Sequence, residues 1–165
     1  MKKLILLIAL IFTVASAAET EITKKMKEFE IIPNIVQSNV PELLKISFDS
    51  GASVNMGNEI TPSQAKKQPK VEWKGDKNAY YTLVAFGPDA PTPDNPFISN
   101  IITWMVGNIS TKDVGAEHIL AEYFAAAPPR ETKKQRLIFL MFKQPKKLQF
   151  DEKPINKYTV EGRLN

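Results

Sequence analysis

Along most of this chain, apolar residues either alternate with polar ones or gather in short continuous runs, the patterns of strands and not of helices. Leu44, Ile46 and Phe48 alternate with Lys45 and Ser47, so a half-buried strand is expected there. Val54 to Asn58 predicts a second strand closing on a turn at Gly57, and Val71-Glu72-Trp73 a short third one. Tyr80 to Phe86 carries the strongest signal, aromatic and β-branched with apolar residues on both faces, as a central strand requires. Ile98 to Val106 and Arg136 to Phe142 predict two more buried strands, the latter ended by Pro145.

Helical signals are fewer. Thr61-Pro62-Ser63-Gln64 places an N-cap, a first-turn proline and a capping partner in order, for a helix of one or two turns that Pro69 must end. Ala116, Ile119, Leu120 and Tyr123 are spaced as one face of a short amphipathic helix that includes Ile119 to Phe124. Glu19 to Lys27 predicts a short helix or a loose arm. Four prolines between Gly87 and Pro96 predict an ordered loop, Pro128-Pro129 starts a second, and beyond Lys146 the pattern fades into charged residues. The expected domain is mainly β, with short helices at its periphery.

The first residues follow a different rule. Met1-Lys2-Lys3, the apolar run Leu4 to Val14 and the small residues Ala15-Ser16-Ala17-Ala18 form the pattern of a secretory signal peptide cleaved after Ala17 or Ala18. A membrane anchor would need about 20 apolar residues, and Glu19 and Glu21 arrive too soon for stable insertion. The expected organisation is therefore a signal peptide at 1–18, an N-terminal arm at 19–43, a core domain at 44–145 and a C-terminal segment at 146–165. Of the 22 basic residues, Lys2 and Lys3 leave with the signal, so 20 face 18 acidic ones and the net charge falls from +4 to +2. That gives no electrostatic case for nucleic acid. The chain has no cysteine, which excludes disulfides, thiolate metal sites and thiol catalysis.

Two loops carry a resemblance. Tyr81-Thr82-Leu83-Val84-Ala85-Phe86-Gly87-Pro88-Asp89-Ala90-Pro91 resembles the strand and D-P-D-x-P loop of the phosphatidylethanolamine-binding proteins, and Asn108 closes that segment at the family's spacing. Tyr123 through Ala127-Pro128-Pro129, then Arg136 heading a strand, resembles the family's G-P-P and H-R-Y signatures. Ile46-Ser47-Phe48, Gly51, Val54, Gly57, Thr61-Pro62 and Trp73 are similar to its first strands, its L-T-P turn and the strand after it. The resemblance runs from about Leu44 to Gln144. It implies a β-sandwich of two antiparallel sheets with a small anion pocket at one end, formed by these two loops. It also implies a binding protein, since members bind phospholipid headgroups or act as kinase inhibitors, protease inhibitors, flowering regulators and secreted antennal proteins. Members continue past the position of Gly162-Arg163-Leu164-Asn165 into a helix near the pocket mouth. The expectation is a truncated or spliced chain, or a pocket open on one side.

Set against the family, the pocket residues diverge in one direction. Asp89, Pro91, Pro128, Pro129 and Arg136 match, whereas Gly87 stands for the first aspartate, Ile101 for a tryptophan, Thr103 for a histidine and Ala127 for a glycine. Gln135-Arg136-Leu137 replaces the histidine and tyrosine of H-R-Y. Losing charge-assisted donors weakens anion binding by about two to three decades. Asp89, Pro91, Ile101, Thr103, Ala127, Pro128, Gln135 and Leu137 are the candidate ligand residues, for a small hydrophobic or lipid-like molecule. Asp89 and Arg136 are the expected structural pair joining the two loops. His118, the only histidine, has no nucleophile or orienting acid near it in sequence, so no catalytic constellation, cofactor or metal site is expected. Asn108-Ile109-Ser110 is a glycosylation candidate. The leading expectation is a secreted monomeric carrier. The alternative is an extracellular inhibitor or signalling modulator acting through a protein partner.

Overall fold

The computed structural model describes residues 20–37, 42–98, 100–110, 114, 118–128 and 133–164. The expected signal peptide lies outside them. The chain divides into two compact units, Met1–Val40 and Pro41–Asn165.

In the first unit, α1 (Glu21–Glu28) starts at Thr20, whose Oγ1 accepts from the Thr23 backbone N–H at 3.2 Å. Glu21 in the first turn and Lys25 and Lys27 in the last complement the helix dipole. Between the helix and the loose arm left open by the sequence, the structure holds the helix.

The second unit contains β1 (Lys45–Ser47), β2 (Lys70–Glu72), β3 (Tyr80–Gly87), β4 (Ala90–Thr92), β5 (Asn95–Ile98), β6 (Ile101–Ile109), β7 (His118–Ala121) and β8 (Ile138–Gln144). All named pairings are antiparallel. β1 and β2 form a small sheet, β7-β6-β3-β8 a four-stranded one, and β4-β5 a hairpin. Ile46, Phe48 and Val71 from the small sheet and its flank share one buried cluster with Leu83, Ala85, Trp104 and Val106 of the large sheet. This is the mainly β class that the patterning predicts, with the antiparallel sheets that the resemblance implies. β3 is central, pairing with β6 on one side and β8 on the other.

Four local expectations are corrected. Val54 to Asn58 is not a strand: a single bridge joins Ser53 to Ser47, and a turn follows in which Asn58 Oδ1 accepts from the Asn55 N–H at 2.6 Å. Thr61 and Gln64 make their reciprocal capping bonds, but only turns follow. Pro62 and Pro69 leave too short a segment between them to offset helix nucleation. The proline-rich stretch after Gly87 is a hairpin, β4-β5, pairing Ala90 with Ile98 and Thr92 with Asn95. The last correction is the largest. Ile119 to Phe124 is not helical, because His118–Ala121 adds to the edge of β6 as β7. Ile119, Ala121 and Tyr123 also alternate, and the unpaired backbone of β6 decides between the two readings.

The C-terminal segment is not a fading tail. Ile155 bridges Ala121, its N–H donates to Leu120 O at 2.9 Å, and Ile155 O accepts from the Glu122 N–H at 2.9 Å. Arg163, near its end, is fully buried.

Candidate functional site

The last residue of β3, Gly87, pairs with Ile101 at the start of β6. A Cβ at Gly87 would sit 3.6 Å from both Ile101 Cγ2 and Arg136 O, so strand, strand and incoming loop converge at this point. Two residues on, Asp89 is buried, and its carboxylate is fully engaged. Oδ2 accepts from the Arg136 backbone N–H at 2.8 Å and from Nε at 3.0 Å, while Oδ1 accepts from Nη2 at 2.6 Å. This fork ties the end of β3 to the segment entering β8 across 47 residues. Burial pushes the Asp89 carboxyl up and is the largest single influence. The side-chain and backbone hydrogen bonds from Arg136, with its charge, together outweigh it and hold the carboxyl below its ordinary value.

The segment before β8 is fastened at four successive residues. Lys133 pairs with Asp94 on the hairpin at 2.7 Å, Lys134 pairs with Glu59, the Gln135 amide donates to Pro91 O, and Arg136 holds Asp89. The first two pairs are exposed and individually weak. Only the last is desolvated. Ile101, Leu137, Pro91 and Pro128 are half-buried, while Ala127 is exposed.

Thr103 has an unusual position. Between Ala85 and Phe86 of β3 the partner on β6 moves from Trp104 to Ile102, so Thr103 is the extra residue of a bulge. Its carbonyl accepts from the Phe124 N–H at 2.7 Å. The residue is 2% exposed, and its Oγ1 has no hydrogen-bond partner.

The residue that sequence reasoning missed holds this bulge from the other side. Arg163 meets Ile102 through its carbonyl and its guanidinium: Ile102 N–H donates to Arg163 O at 2.9 Å and Arg163 Nη1 to Ile102 O at 3.0 Å. The guanidinium also donates to the carbonyls of Thr159, Glu122 and Asn156, and its Cζ lies 5.3 Å from the centre of the Phe124 ring. Burial pushes its pKa down, partly opposed by the charge of Glu122. An arginine in a charged, non-periodic tail gives no sequence signal of such a role.

Two other candidates lie away from this point. His118 is an exposed strand residue, stacked on Phe150 at 5.0 Å, and not a helix residue as the spacing suggested. Asn108, at the far end of β6, is buried: Nδ2 donates to Leu148 O, while Oδ1 accepts from Leu148 N–H and Gln144 Nε2.

Residues 47–163 match the family model described as phosphatidylethanolamine-binding protein. A Drosophila melanogaster protein named "Putative odorant-binding protein A5" is 33% identical over 147 residues, covering 89% of this chain and 70% of that protein. The "26 kDa secreted antigen" of Toxocara canis is 31% identical over 115 residues, which is 70% of this chain and 44% of the antigen, so the chain spans less than half of that relative. Among solved structures, the solution structure of CG7054 superposes with a TM-score of 0.63 at 36% identity, covering 82% of this chain and 77% of that one.

Proposed function

We infer a carrier role for this chain, which belongs to the phosphatidylethanolamine-binding protein family. The proposed function is extracellular binding of a small, uncharged, largely apolar molecule at the end of the large sheet, without catalysis. One observation carries this reading: Asp89 and Arg136, the charged residues of the site, satisfy each other. An anionic ligand there would have to break a desolvated fork to obtain the guanidinium, at a cost of about 3 kcal/mol or more. Of the other candidate residues, Ile101, Leu137, Ala127, Pro91 and Pro128 would supply alkyl surface, and Thr103 and Gln135 neutral polar atoms, the usual make-up of a small-molecule site.

Secretion is part of the proposal. It is supported by the pattern of residues 1–18 and by relatives whose names include "secreted" and "odorant-binding". The test is native mass spectrometry of protein purified from a secretory host, with mixed neutral volatiles and lipids offered alongside phosphoethanolamine. Retained neutral adducts are expected. Preferential, salt-sensitive capture of phosphoethanolamine would overturn the reading, and recovery of the protein only inside the host cell would overturn secretion.

A further inference from the structure

The edge of a β-sheet exposes unpaired backbone N–H and C=O groups, and folded chains cover, shorten or charge such edges to keep other strands away. Most edges here follow that rule. β7 is closed by the C-terminal segment, where Ile155 bridges Ala121 and exchanges backbone bonds with Leu120 and Glu122. β1 and β2 are three residues long and carry Lys45, Lys70 and Glu72. In the β4-β5 hairpin, Pro91 and Pro96 remove backbone donors.

β8 does not follow it. It is the outer strand of the four-stranded sheet, seven residues long, and runs beside β3 without a register shift. It contains no proline or glycine, and Lys143 is its one charge. Among the described residues, β3 is the only strand paired with it, so its alternate N–H and C=O groups point outward with no strand to receive them. Its side chains are apolar on both faces. Phe139 and Met141 pack on the core, while Leu140 and Phe142 stand on the opposite face, beside Val84 and Thr82 of β3. Phe142 is 53% exposed.

The residues themselves indicate what fits this edge. Ile138 to Phe142 is an apolar run with Leu140 at its centre. When a second β8 runs antiparallel about a two-fold axis through Leu140, that residue faces its own counterpart, Phe142 faces Ile138, and Met141 faces Phe139. Every such pair is apolar and stays on its own face of the sheet. Lys143 then stands opposite Leu137 of the second copy, so the two cations do not meet, and each keeps its own Asp76 at 3.5 Å.

We propose that β8 is a self-pairing edge, through which two copies of this chain join their four-stranded sheets into one continuous sheet. The resulting dimer is closed, because the same strand serves both partners. It differs from the monomer expected from the sequence, and it does not depend on the carrier reading above.

The test is sedimentation velocity of protein purified from a secretory host, over a wide concentration range, paired with amide hydrogen exchange. A reversible monomer–dimer equilibrium is expected, and at high concentration the outward amides of β8 should gain protection. Phe142→Lys should raise the dissociation constant about tenfold or more, since the axis places the new charge in the interface twice. Phe142 is exposed, so the fold should survive the change, read as unchanged protection between β3 and β6. Phe142→Tyr should keep the dimer. A monomer at every concentration, a dimer insensitive to Phe142→Lys, or a dimer whose β8 amides exchange as they do in the monomer would overturn the proposal. So would a chain that stays monomeric alone yet protects β8 when an extended foreign peptide is added. No ligand enters these measurements, so the carrier reading stands or falls separately.

Discussion

Asp89 shows how one residue joins two distant loops. Its buried carboxylate takes three nitrogens of the partly buried Arg136. Asp89→Asn should therefore cost about 2–3 kcal/mol in urea unfolding, since the guanidinium loses its counter-charge while staying partly desolvated. The sign of the pH effect follows from the lowered carboxyl. In the unfolded chain this group titrates near its ordinary value of about 3.9, and in the folded one it titrates lower. Between those values the unfolded state holds more protons, so stability rises with pH, and the contribution is complete above the unfolded value. It is lost as the pH falls through the folded value. Acid unfolding of Asp89→Asn should lack this limb, and a wild-type-like acid profile in the variant would show that the pair contributes nothing. The likeness of the D-x-P loop made Asp89 and Arg136 legible as a pair before any geometry was known. Thr103 was legible only as a replacement, because neither its bulge nor its missing partner has a local signature.

At the scale of elements, strands that are buried on one or both faces were readable, and those defined by a neighbour were not. β3 and β8 follow from their own apolar and β-branched residues. β6 was read too early, since Asn100, with a φ of 61°, turns the chain after β5 and starts the strand at Ile101. β7 looks helical locally and becomes a strand because β6 offers it backbone partners. The segment at 155–163 is held mainly through backbone groups, with Arg163 serving four carbonyls at once. Arg163→Ala should leave those carbonyls short of donors and cost about 3 kcal/mol. Its mark in hydrogen exchange should be local. The amides of Ile102, Glu122 and Ile155 should exchange faster while those between β3 and β8 keep their protection. Uniform loss of protection would mean that this segment is not a separate clasp.

For the whole molecule, the fold constrains what can be attached to it. The sequon at Asn108 satisfies the motif, yet its amide nitrogen donates to Leu148 O and its oxygen accepts twice within a network that reaches Thr82 and Gln144. A glycan on that nitrogen would break the network joining β3, β6 and β8. The folded protein from a glycosylating host should have the intact mass of the bare polypeptide, and a hexosamine-containing mass localised to Asn108 would contradict this. The sequence by itself determined the mainly β class, the family likeness and the direction in which the site has changed, because residue type and period act locally along the chain. Only the tertiary structure decided which ambiguous segments became strands, that Asp89 and Arg136 neutralise each other, that Arg163 is buried and that Thr103 is left without a partner. Those outcomes depend on which backbone groups and charges meet across tens of residues, and no local pattern encodes that meeting.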